Sequence, residues 1–320
     1  MKSLYFEKYG NSDVLSFREL PKPELEEGQV RIKVHAASVN PLDWRLMQAD
    51  PFLVRFFSGF WKPKSNGLGA DFSGVVESVS EGVLKFKVGD AVFGLMALEA
   101  VGSFADYISM PEAALVDKPQ SLSHQQAATL GVAALTAYEG IYDYFLPKTG
   151  DRVLINGASG GIGTFAVQMA KALGAHVTGV CSSRNEALVR SIGADTVIDY
   201  KSIDLLQIEE RFNLVFDTIG NHPAKLMKRL VGEGGRLVLA SAANSMGFIK
   251  AMSLAKKDDQ IELIADLKKD KPRLEAVAAL AASGTVQPVI DREYPFDAIR
   301  DAIDYVATKR ARGKVVVNFP

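Results

Sequence analysis

The chain has 320 residues, 48% of them hydrophobic and 23% charged, and its 37 basic and 38 acidic residues give a net charge of −1. This composition suits a globular chain of about two domains and gives no reason to expect nucleic acid or an anionic membrane as the main partner. The single cysteine, Cys181, excludes an intrachain disulfide and a four-cysteine zinc site. The polar N-terminus and the lack of a long apolar run predict no signal peptide and no membrane span, so we expect a cytoplasmic protein.

Residues 1–121 favour a β-rich domain. Apolar and polar residues alternate in Gln29–Asn40, which predicts a half-buried strand because successive side chains of a strand point to opposite faces. Glycine and proline between the later short apolar runs suit turns. These later strands are predicted at residues 74–79, 90–94, 103–109 and 114–118.

Strands and helices alternate between residues 122 and 264. The pattern predicts strands at 152–156, 176–180, 196–198, 213–217 and 236–240, with helices at 162–173 and 185–192. Such alternation is typical of a doubly wound parallel sheet with helices on both faces. Residues 265–320 return to helices and short strands and are expected to complete the first domain. The predicted fold class is therefore α/β, with a second, β-rich domain.

A glycine-rich turn, Asn156–Gly163, joins a predicted strand to the helix that follows it. Aligned with G-x-G-x-x-G, it places Ala158, Gly160 and Gly163 at the three glycine positions, so the first glycine is substituted. Small residues let the backbone approach a pyrophosphate, and the helix N-terminus offers N–H groups and a positive dipole end. The same glycines also suit an ordinary tight turn, but the strand–turn–helix context favours a dinucleotide site.

The choice between NADH and NADPH is made about twenty residues after such a turn. An NADH site carries Asp or Glu there, whereas this chain has Ser182, Ser183 and Arg184 in the segment Val180–Asn185. Hydroxyl groups and a guanidinium can donate hydrogen bonds to a 2′-phosphate. The serines also suit capping of the next helix, and one loop can do both. We expect NADPH to be preferred over NADH.

Other motifs are spread over the whole chain, at residues 39–44, 69–76, 88–94, 135–138 and 193–200. With them the chain resembles the zinc-independent quinone-oxidoreductase branch of the medium-chain dehydrogenase/reductase superfamily. Within that branch, the chain is most similar to the subgroup that contains the reticulon-interacting mitochondrial reductase and the chloroplast-envelope quinone oxidoreductase homologue. The resemblance implies a GroES-like catalytic domain at residues 1–121, completed by 265–320, and a Rossmann NADPH-binding domain at 122–264.

Zinc-dependent members of the superfamily carry Gly-His-Glu where this chain has Gly69-Ala70-Asp71, and a cysteine near Ser38–Asn40. Because those ligand types are missing, we expect no catalytic metal, and alcohol oxidation loses its usual means of stabilising an alkoxide. Reduction of an already electrophilic acceptor needs less help. The resemblance therefore implies an NADPH-dependent reductase that acts on a quinone or an α,β-unsaturated carbonyl.

The resemblance also implies roles for individual side chains. Asn40 and Thr136 are expected near the nicotinamide, and Arg312 is expected to reach the cofactor from the C-terminal segment. Ser182, Ser183, Arg184 and Tyr200 are expected at the 2′-phosphate end, and Thr218 and Ile219 beside the ribose. The residues expected at the pyrophosphate are Ala158, Ser159, Gly160, Gly161, Ile162 and Gly163.

The expected mechanism is hydride transfer from nicotinamide C4 to a quinone carbonyl carbon or an enone β-carbon. The Asn40 amide is the candidate donor to the acceptor oxygen, although Asn40 equally suits a turn before Pro41. Asp43 is expected as a structural partner, and water suffices as the final proton source. Two alternatives stay open: an enal or enone reductase with little quinone activity, and a non-catalytic NADPH-binding sensor or scaffold. The resemblance also suggests a homodimer formed through Rossmann-sheet edges.

The aromatic segment, residues 52–61, fits three placements. Its rings suit packing in the core, and they also suit the wall of an apolar acceptor pocket. A third placement is loose membrane association, because Arg55, Lys62 and Lys64 lie in or next to the segment.

Overall fold

The computed structural model describes residues 1–96, 102–242, 244–264 and 271–320. These residues form two compact units. The first comprises Met1–Val132, Lys269–Ser283 and Ile290–Pro320, and the second comprises Ala133–Lys268 and Gly284–Val289. The functional boundaries predicted from the sequence, after residues 121 and 264, stay a prediction.

The first unit carries a seven-stranded sheet. Its strands run in the order β14-β15-β3-β4-β5-β7, with β6 also paired to β3, and β1 and β2 form a separate hairpin-like pair. The strands are β1 (Lys2–Tyr5), β2 (Ser16–Glu19), β3 (Gln29–Val39), β4 (Asp71–Val79), β5 (Ala91–Leu95), β6 (Tyr107–Pro111), β7 (Leu115–Asp117), β14 (Ile290–Pro295) and β15 (Lys314–Asn318). The helices are α1 (Pro41–Gln48), α2 (Val54–Ser58), α3 (His124–Ala127), α9 (Lys271–Ala282) and α10 (Ile299–Ala307).

Strand β3 lies at the centre of this sheet, and its alternating apolar residues explain why it is buried there. Val30, Ile32 and Val34 alternate with polar residues and are fully buried, whereas the polar residues between them are partly exposed. Helix α1, which follows directly, was not predicted. Its signals were nevertheless present, because Pro41 occupies the first helical turn and Asp43 Oδ2 accepts a hydrogen bond from Asn40 N at 2.7 Å.

The second unit carries a six-stranded parallel sheet in the order β10-β9-β8-β11-β12-β13. The strands are β8 (Arg152–Asn156), β9 (His176–Cys181), β10 (Thr196–Asp199), β11 (Phe212–Asp217), β12 (Val231–Leu239) and β13 (Ile261–Leu263). The helices are α4 (Leu135–Tyr138), α5 (Gly161–Ala172), α6 (Glu186–Ser191), α7 (Ala224–Met227) and α8 (Ser245–Ala255). Because the chain moves outward in one direction from β8 and then in the other from β11, this is the strand order of a dinucleotide-binding doubly wound sheet.

The predicted α/β fold class, with a β-rich domain and a doubly wound parallel-sheet domain, is confirmed. Strand β8 has the predicted bounds, and α5 begins one residue earlier than expected. Apart from Asn156 and Asp217 at their last positions, the buried side chains of β8 and β11 are apolar on both faces of the sheet, as in a strand covered by helices on either side. In the described ranges, no helix is long and apolar enough to cross a membrane.

Candidate active site

The glycine-rich turn follows β8, at the point between β8 and β11 where the order of the strands in the parallel sheet reverses. Gly157 has a φ of +88°, and a Cβ atom at this position would lie 2.5 Å from Thr218 Oγ1 and 2.7 Å from Ile219. Only glycine fits such a turn without strain. The sharp turn that the motif assigns to its first glycine is therefore made by Gly157. Ala158 comes after it, is fully buried, and donates its N–H to Val180 O at 3.1 Å.

Gly163 permits close contact between helix α5 and the turn. A Cβ atom on Gly163 would lie 2.1 Å from Gly157 O. The helix runs for 12 residues, and its N-cap, Gly160, has extended backbone and no side chain that could cover the first turn. The positive end of the helix dipole and the first-turn N–H groups of Gly161 and Ile162 therefore suit a pyrophosphate.

The turn after β8 is linked to the loop after β9. Asn185 Nδ2 donates to Ser159 Oγ at 2.9 Å, and both residues are largely buried. Among the described residues, the Asn185 Oδ1 atom is buried without a hydrogen-bond partner. The glycine-rich turn and its surroundings thus fit a dinucleotide.

The predicted 2′-phosphate residues gather at the ends of β9 and β10, which are neighbours in the sheet. Ser182 is 4% exposed, whereas Ser183 and Arg184 are exposed. Tyr200 is also exposed, and its backbone N–H donates to Cys181 O at 3.2 Å. The structure therefore brings these four predicted residues to one edge of the second unit, where three of them are accessible to a ligand.

A carboxylate that sequence reasoning missed lies at the same edge. Asp199 ends β10 opposite Cys181 in the parallel register, so it faces the end of β9 from the neighbouring strand. Hydrogen bonds from the Lys201 backbone N–H and from Ser183 lower the pKa of Asp199. Ser183 is therefore a neighbour of the Asp199 carboxylate. Asp199 belongs to β10, so the sequence at the end of β9 does not indicate a carboxylate at this edge.

Thr218 and Ile219, the predicted ribose neighbours, follow β11. Thr218 Oγ1 donates to Asn156 O at 2.7 Å, and 47% of Ile219 is exposed. A buried pair behind them was not predicted: Asn156 Nδ2 donates to Asp217 Oδ1 at 2.8 Å. Burial raises the pKa of Asp217, while the Gly220 and Ile219 N–H groups that bond its Oδ1 atom lower it. Asn156 and Asp217 are each the polar last residue of an otherwise apolar strand, and this pattern was the signal available in the sequence.

Thr136 lies in the second unit, in helix α4, and is 6% exposed. Arg312, in the first unit, is exposed and lies beside Asp291: its backbone N–H donates to Asp291 Oδ2 at 2.9 Å, and its Nε atom lies 3.6 Å from Oδ1. The guanidinium of Arg312 therefore already has a carboxylate partner within its own unit. The roles of Thr136 and Arg312 at the cofactor stay predictions.

The first unit contains a buried polar cluster built around Asp71. Its Oδ2 atom accepts hydrogen bonds from Ser38 Oγ at 2.6 Å and from Asn40 Nδ2 at 2.9 Å, and it lies 3.5 Å from Lys314 Nζ. The Oδ1 atom accepts from Val132 N at 2.8 Å. Asp71, Ser38 and Asn40 are at most 1% exposed and Lys314 is 3% exposed.

Strand pairing brings these residues together. Ser38 of β3 lies opposite Asp71 of β4, and Val39 lies opposite Val315 of β15, so that Asn40 and Lys314 follow at the same end of the sheet. Lys314 Nζ then donates to Asn40 Oδ1 at 2.5 Å. The cluster therefore balances a buried carboxylate with a buried ammonium and with neutral donors, which is what such burial requires.

The Asn40 side chain is bonded on both of its ends. Besides its bond to Asp71, Nδ2 lies 3.3 Å from Ser38 O, the longer of its two contacts. The ammonium of Lys314 fixes the orientation of the amide, because an ammonium can only donate and therefore must face the amide oxygen. The predicted role of Asn40 as a donor to an acceptor oxygen stays a prediction, and it requires the contact with Ser38 O to be exchanged.

Asp43 supports the cluster from α1. Its Oδ2 atom accepts from Asn40 N at 2.7 Å and its Oδ1 atom from Gly69 N at 3.0 Å. Burial raises the pKa of Asp43 to about 7, against the lowering effect of the Asn40 and Gly69 N–H groups. Burial also lowers the pKa of Lys314, against the raising effect of Asp71 and Asp43. Asp43 is thus a structural partner of the Asn40 backbone.

Within the described part of the chain, no group of three His, Cys, Asp or Glu side chains is arranged to hold a metal ion. Ala70, at the position where the resemblance places the histidine of zinc-dependent members, is buried and carries no metal-binding group. The cation beside Asp71 is instead the ammonium of Lys314.

Comparison with known proteins shows to which family the chain belongs. The family described as "Alcohol dehydrogenase GroES-like domain" matches residues 26–120, and "Zinc-binding dehydrogenase" matches residues 192–317. The mitochondrial NAD(P)H oxidoreductase RTN4IP1 of Bos taurus is 35% identical, over 99% of this chain and 89% of its own length. The chloroplastic NADPH-dependent alkenal/one oxidoreductase of Arabidopsis thaliana is 33% identical, over 99% and 79% respectively. The solved quinone oxidoreductase of Coxiella burnetii superposes with a TM-score of 0.89 at 28% identity, over 99% of both chains.

The predicted cytoplasmic location is contradicted by these relatives, which are mitochondrial and chloroplastic proteins. One buried thiol and the absence of a predicted membrane span fit several reducing compartments equally well, so they could not distinguish among them.

The matched families and relatives agree with the sequence motifs and with the folds of the two units. The relatives are oxidoreductases that use a nicotinamide cofactor, and the resemblance extends over nearly the whole chain. This protein is accordingly a nicotinamide-dependent oxidoreductase, and the chain belongs to the medium-chain dehydrogenase/reductase superfamily, in its quinone oxidoreductase branch.

Proposed function

We propose that this protein is a zinc-free, NADPH-dependent reductase that transfers a hydride to a quinone or to an α,β-unsaturated carbonyl. The observation that carries the proposal is the edge formed by β9 and β10, where buried Ser182 and exposed Arg184 and Tyr200 lie beyond the glycine-rich turn. Hydroxyl and guanidinium donors suit a 2′-phosphate, and Arg184 can bind it through two parallel hydrogen bonds.

The residues of the second unit hold the cofactor in this proposal. The turn from Gly157 to Gly163 and the start of α5 bind the pyrophosphate through backbone N–H groups. Thr218 and Ile219 contact the ribose. Asp199 lies at the same edge, and the hydrogen bonds from Lys201 N–H and Ser183 stabilise its charged form. Its charge opposes a bound 2′-phosphate, so the Arg184 guanidinium must outweigh it.

The reaction converts the acceptor, NADPH and one proton into the reduced acceptor and NADP⁺. When bound, the cofactor supplies the hydride from nicotinamide C4 to a quinone carbonyl carbon or to the β-carbon of an enone. Water supplies the proton that neutralises the acceptor oxygen. The buried cluster keeps the Asn40 amide in one orientation, and Asn40 Nδ2 is the proposed donor that polarises this oxygen.

Reduction of a carbon–carbon double bond is the second candidate activity. It is favoured by the relative named as an alkenal/one oxidoreductase, whereas the solved structural neighbour is named as a quinone oxidoreductase. Both acceptors are electrophilic without a metal and take the same hydride, so one site suits either. The protein is also proposed to form a homodimer through edges of the parallel sheet, whose edge strands are β10 and β13.

The deciding experiment follows the absorbance of NADPH in purified protein with a panel of quinones, enals and enones, with NADH in parallel. Parallel assays with NADPH deuterated at C4 identify the reaction, because an alkanone product then retains one deuterium at its β-carbon. Turnover that depends on one acceptor class supports the proposal and selects between the two candidates. Tight NADPH binding without turnover over the whole panel would contradict it and favour a sensor or scaffold.

A further inference from the structure

Four rings of the aromatic segment are exposed. Phe52, Phe56, Phe60 and Trp61 expose 57%, 61%, 43% and 86% of their surface. In contrast, the only other tryptophan of the chain, Trp44, is 5% exposed. These four rings are therefore outside the core, although packing in the core was one of the placements that the sequence allowed. A patch of large exposed apolar side chains in a folded chain marks a surface that contacts something.

The four rings form one cluster. Phe60 lies edge-to-face with Phe52, Phe56 and Trp61, at centroid distances of 6.0, 5.9 and 5.0 Å, and Phe52 and Phe56 contact each other at 6.3 Å. Mutual edge-to-face packing holds aromatic side chains in place while their outer faces stay accessible. The cluster is thus a preformed apolar surface.

Basic residues lie in and next to the segment that carries the cluster. These residues are Arg55, Lys62 and Lys64, and no acidic residue stands between the exposed Asp50 and the buried Asp71, although the chain as a whole carries a net charge of −1. Both lysines are exposed. The Arg55 guanidinium lies 5.4 Å from the Phe52 ring centroid and 4.7 Å from that of Tyr9, so it is packed into the base of the cluster. The patch is therefore both apolar and cationic.

We propose that residues 52–64 form a docking surface for an anionic phospholipid membrane. Aromatic rings partition into the boundary between headgroups and acyl chains, while neighbouring lysines bind anionic headgroups. A second copy of the chain suits this surface poorly, because a twofold contact would bring three cations of each copy together with only one exposed acid, Asp50, next to the segment. The inference is independent of the proposed reaction, since it concerns binding of the protein to a lipid surface in the absence of cofactor and acceptor.

The test measures binding of the full-length protein to vesicles without NADPH or acceptor. Sedimentation with vesicles of phosphatidylcholine alone is compared with vesicles that also contain phosphatidylglycerol. We expect binding to the mixed vesicles, which high salt reverses, and little binding to phosphatidylcholine. In a Trp44→Phe variant, the fluorescence of Trp61 reports directly on the patch, and its emission should shift to shorter wavelength when the mixed vesicles are added.

Two variants separate the apolar and the charged contributions. Phe56→Ser with Trp61→Ser should weaken partitioning at least about tenfold, whereas Leu84→Ser, which changes a residue that is 93% exposed elsewhere in the first unit, should not. Lys62→Gln with Lys64→Gln should weaken it on the order of tenfold, whereas Lys256→Gln with Lys257→Gln should not. Thermal unfolding shows that each variant is folded.

The proposal is overturned if the native protein does not sediment with either kind of vesicle, or if the patch variants bind as the native protein does. It is also overturned if the Phe56/Trp61 variant abolishes a concentration-dependent dimer in analytical ultracentrifugation, since a second copy would then be the occupant. Because NADPH oxidation in solution is assayed separately, failure of membrane binding and failure of the proposed reaction give different results.

Discussion

Lys314 Nζ lies 3.5 Å from Asp71 Oδ2, and both side chains are almost completely buried although 243 residues separate them in the chain. The ammonium also donates to Asn40 Oδ1, whose amide donates back to the same carboxylate. The three groups form a closed triangle of complementary partners. This arrangement makes the cluster stable as a whole and vulnerable when one member is removed.

Lys314→Met should lower the free energy of unfolding by about 3–5 kcal/mol, because the Asp71 carboxylate is then buried without a countercharge. Equilibrium unfolding in urea measures the loss. Adding Asp71→Asn to Lys314→Met should recover part of it, since the uncompensated charge is gone. A double variant that is no more stable than Lys314→Met would contradict the electrostatic explanation and indicate a loss of packing instead.

Asp43 should make the protein less stable as the pH rises from about 4 to about 7. Its pKa is raised by burial from an ordinary value of 3.8 to about 7. Between those values the unfolded chain has released a proton that the folded protein retains, so ionisation favours unfolding. The stability gained from the retained proton is complete below pH 3.8 and is lost as the pH rises through 7.

The measurement for Asp43 is the difference in unfolding free energy between Asp43→Asn and the native protein, followed over this pH range. The variant should gain stability relative to the native protein as the pH rises, because asparagine does not ionise. Asp259→Asn, at an exposed position, serves as the control and should show no such trend. A pH-independent difference for Asp43→Asn would show that the carboxyl group is already ionised at pH 4.

Gly163→Ala should unfold at a clearly lower temperature than the native protein, even without cofactor. The added Cβ would lie 2.1 Å from Gly157 O, a backbone atom that cannot move aside cheaply. Gly247→Ala is a matched control, because Gly247 is likewise the third residue of its helix, α8, and its nearest neighbour would lie at 3.5 Å. That control should be neutral or slightly stabilised, since alanine favours helix by about 1 kcal/mol over glycine. Equal melting temperatures for the two variants would refute the steric argument.

Arg184→Ala combined with Ser182→Ala should lower the ratio of kcat/KM for NADPH to that for NADH by about tenfold to a hundredfold. The change removes charge-assisted hydrogen bonds to the 2′-phosphate, which NADH lacks, so the rate with NADH should change little. Arg190→Ala provides the control, because this exposed arginine of α6 pairs with Glu186 at 2.9 Å. An unchanged ratio in the double variant would remove the structural basis for the NADPH preference.

Much of the second unit was predictable from the sequence, because its regular elements follow local rules. Strand β8, the turn at Gly157–Gly163 and helix α5 are adjacent in the chain, and each is specified by hydrophobic periodicity or by glycine conformation. Those rules did not show which glycine makes the sharp turn. The contact that requires glycine at position 157 comes from Thr218 and Ile219, which follow another strand, β11.

The sequence by itself determined the fold class, the glycine-rich turn between strand and helix, and the residue types at the proposed 2′-phosphate edge. Only the tertiary structure joined Asp71, Asn40 and Lys314 and brought Asp199 to the end of β9. It also left four rings of the aromatic segment exposed. The physical reason is that periodicity and turn chemistry act between residues close in the chain. Partners across a sheet are instead set by strand register, which depends on how the whole domain buries its apolar surface.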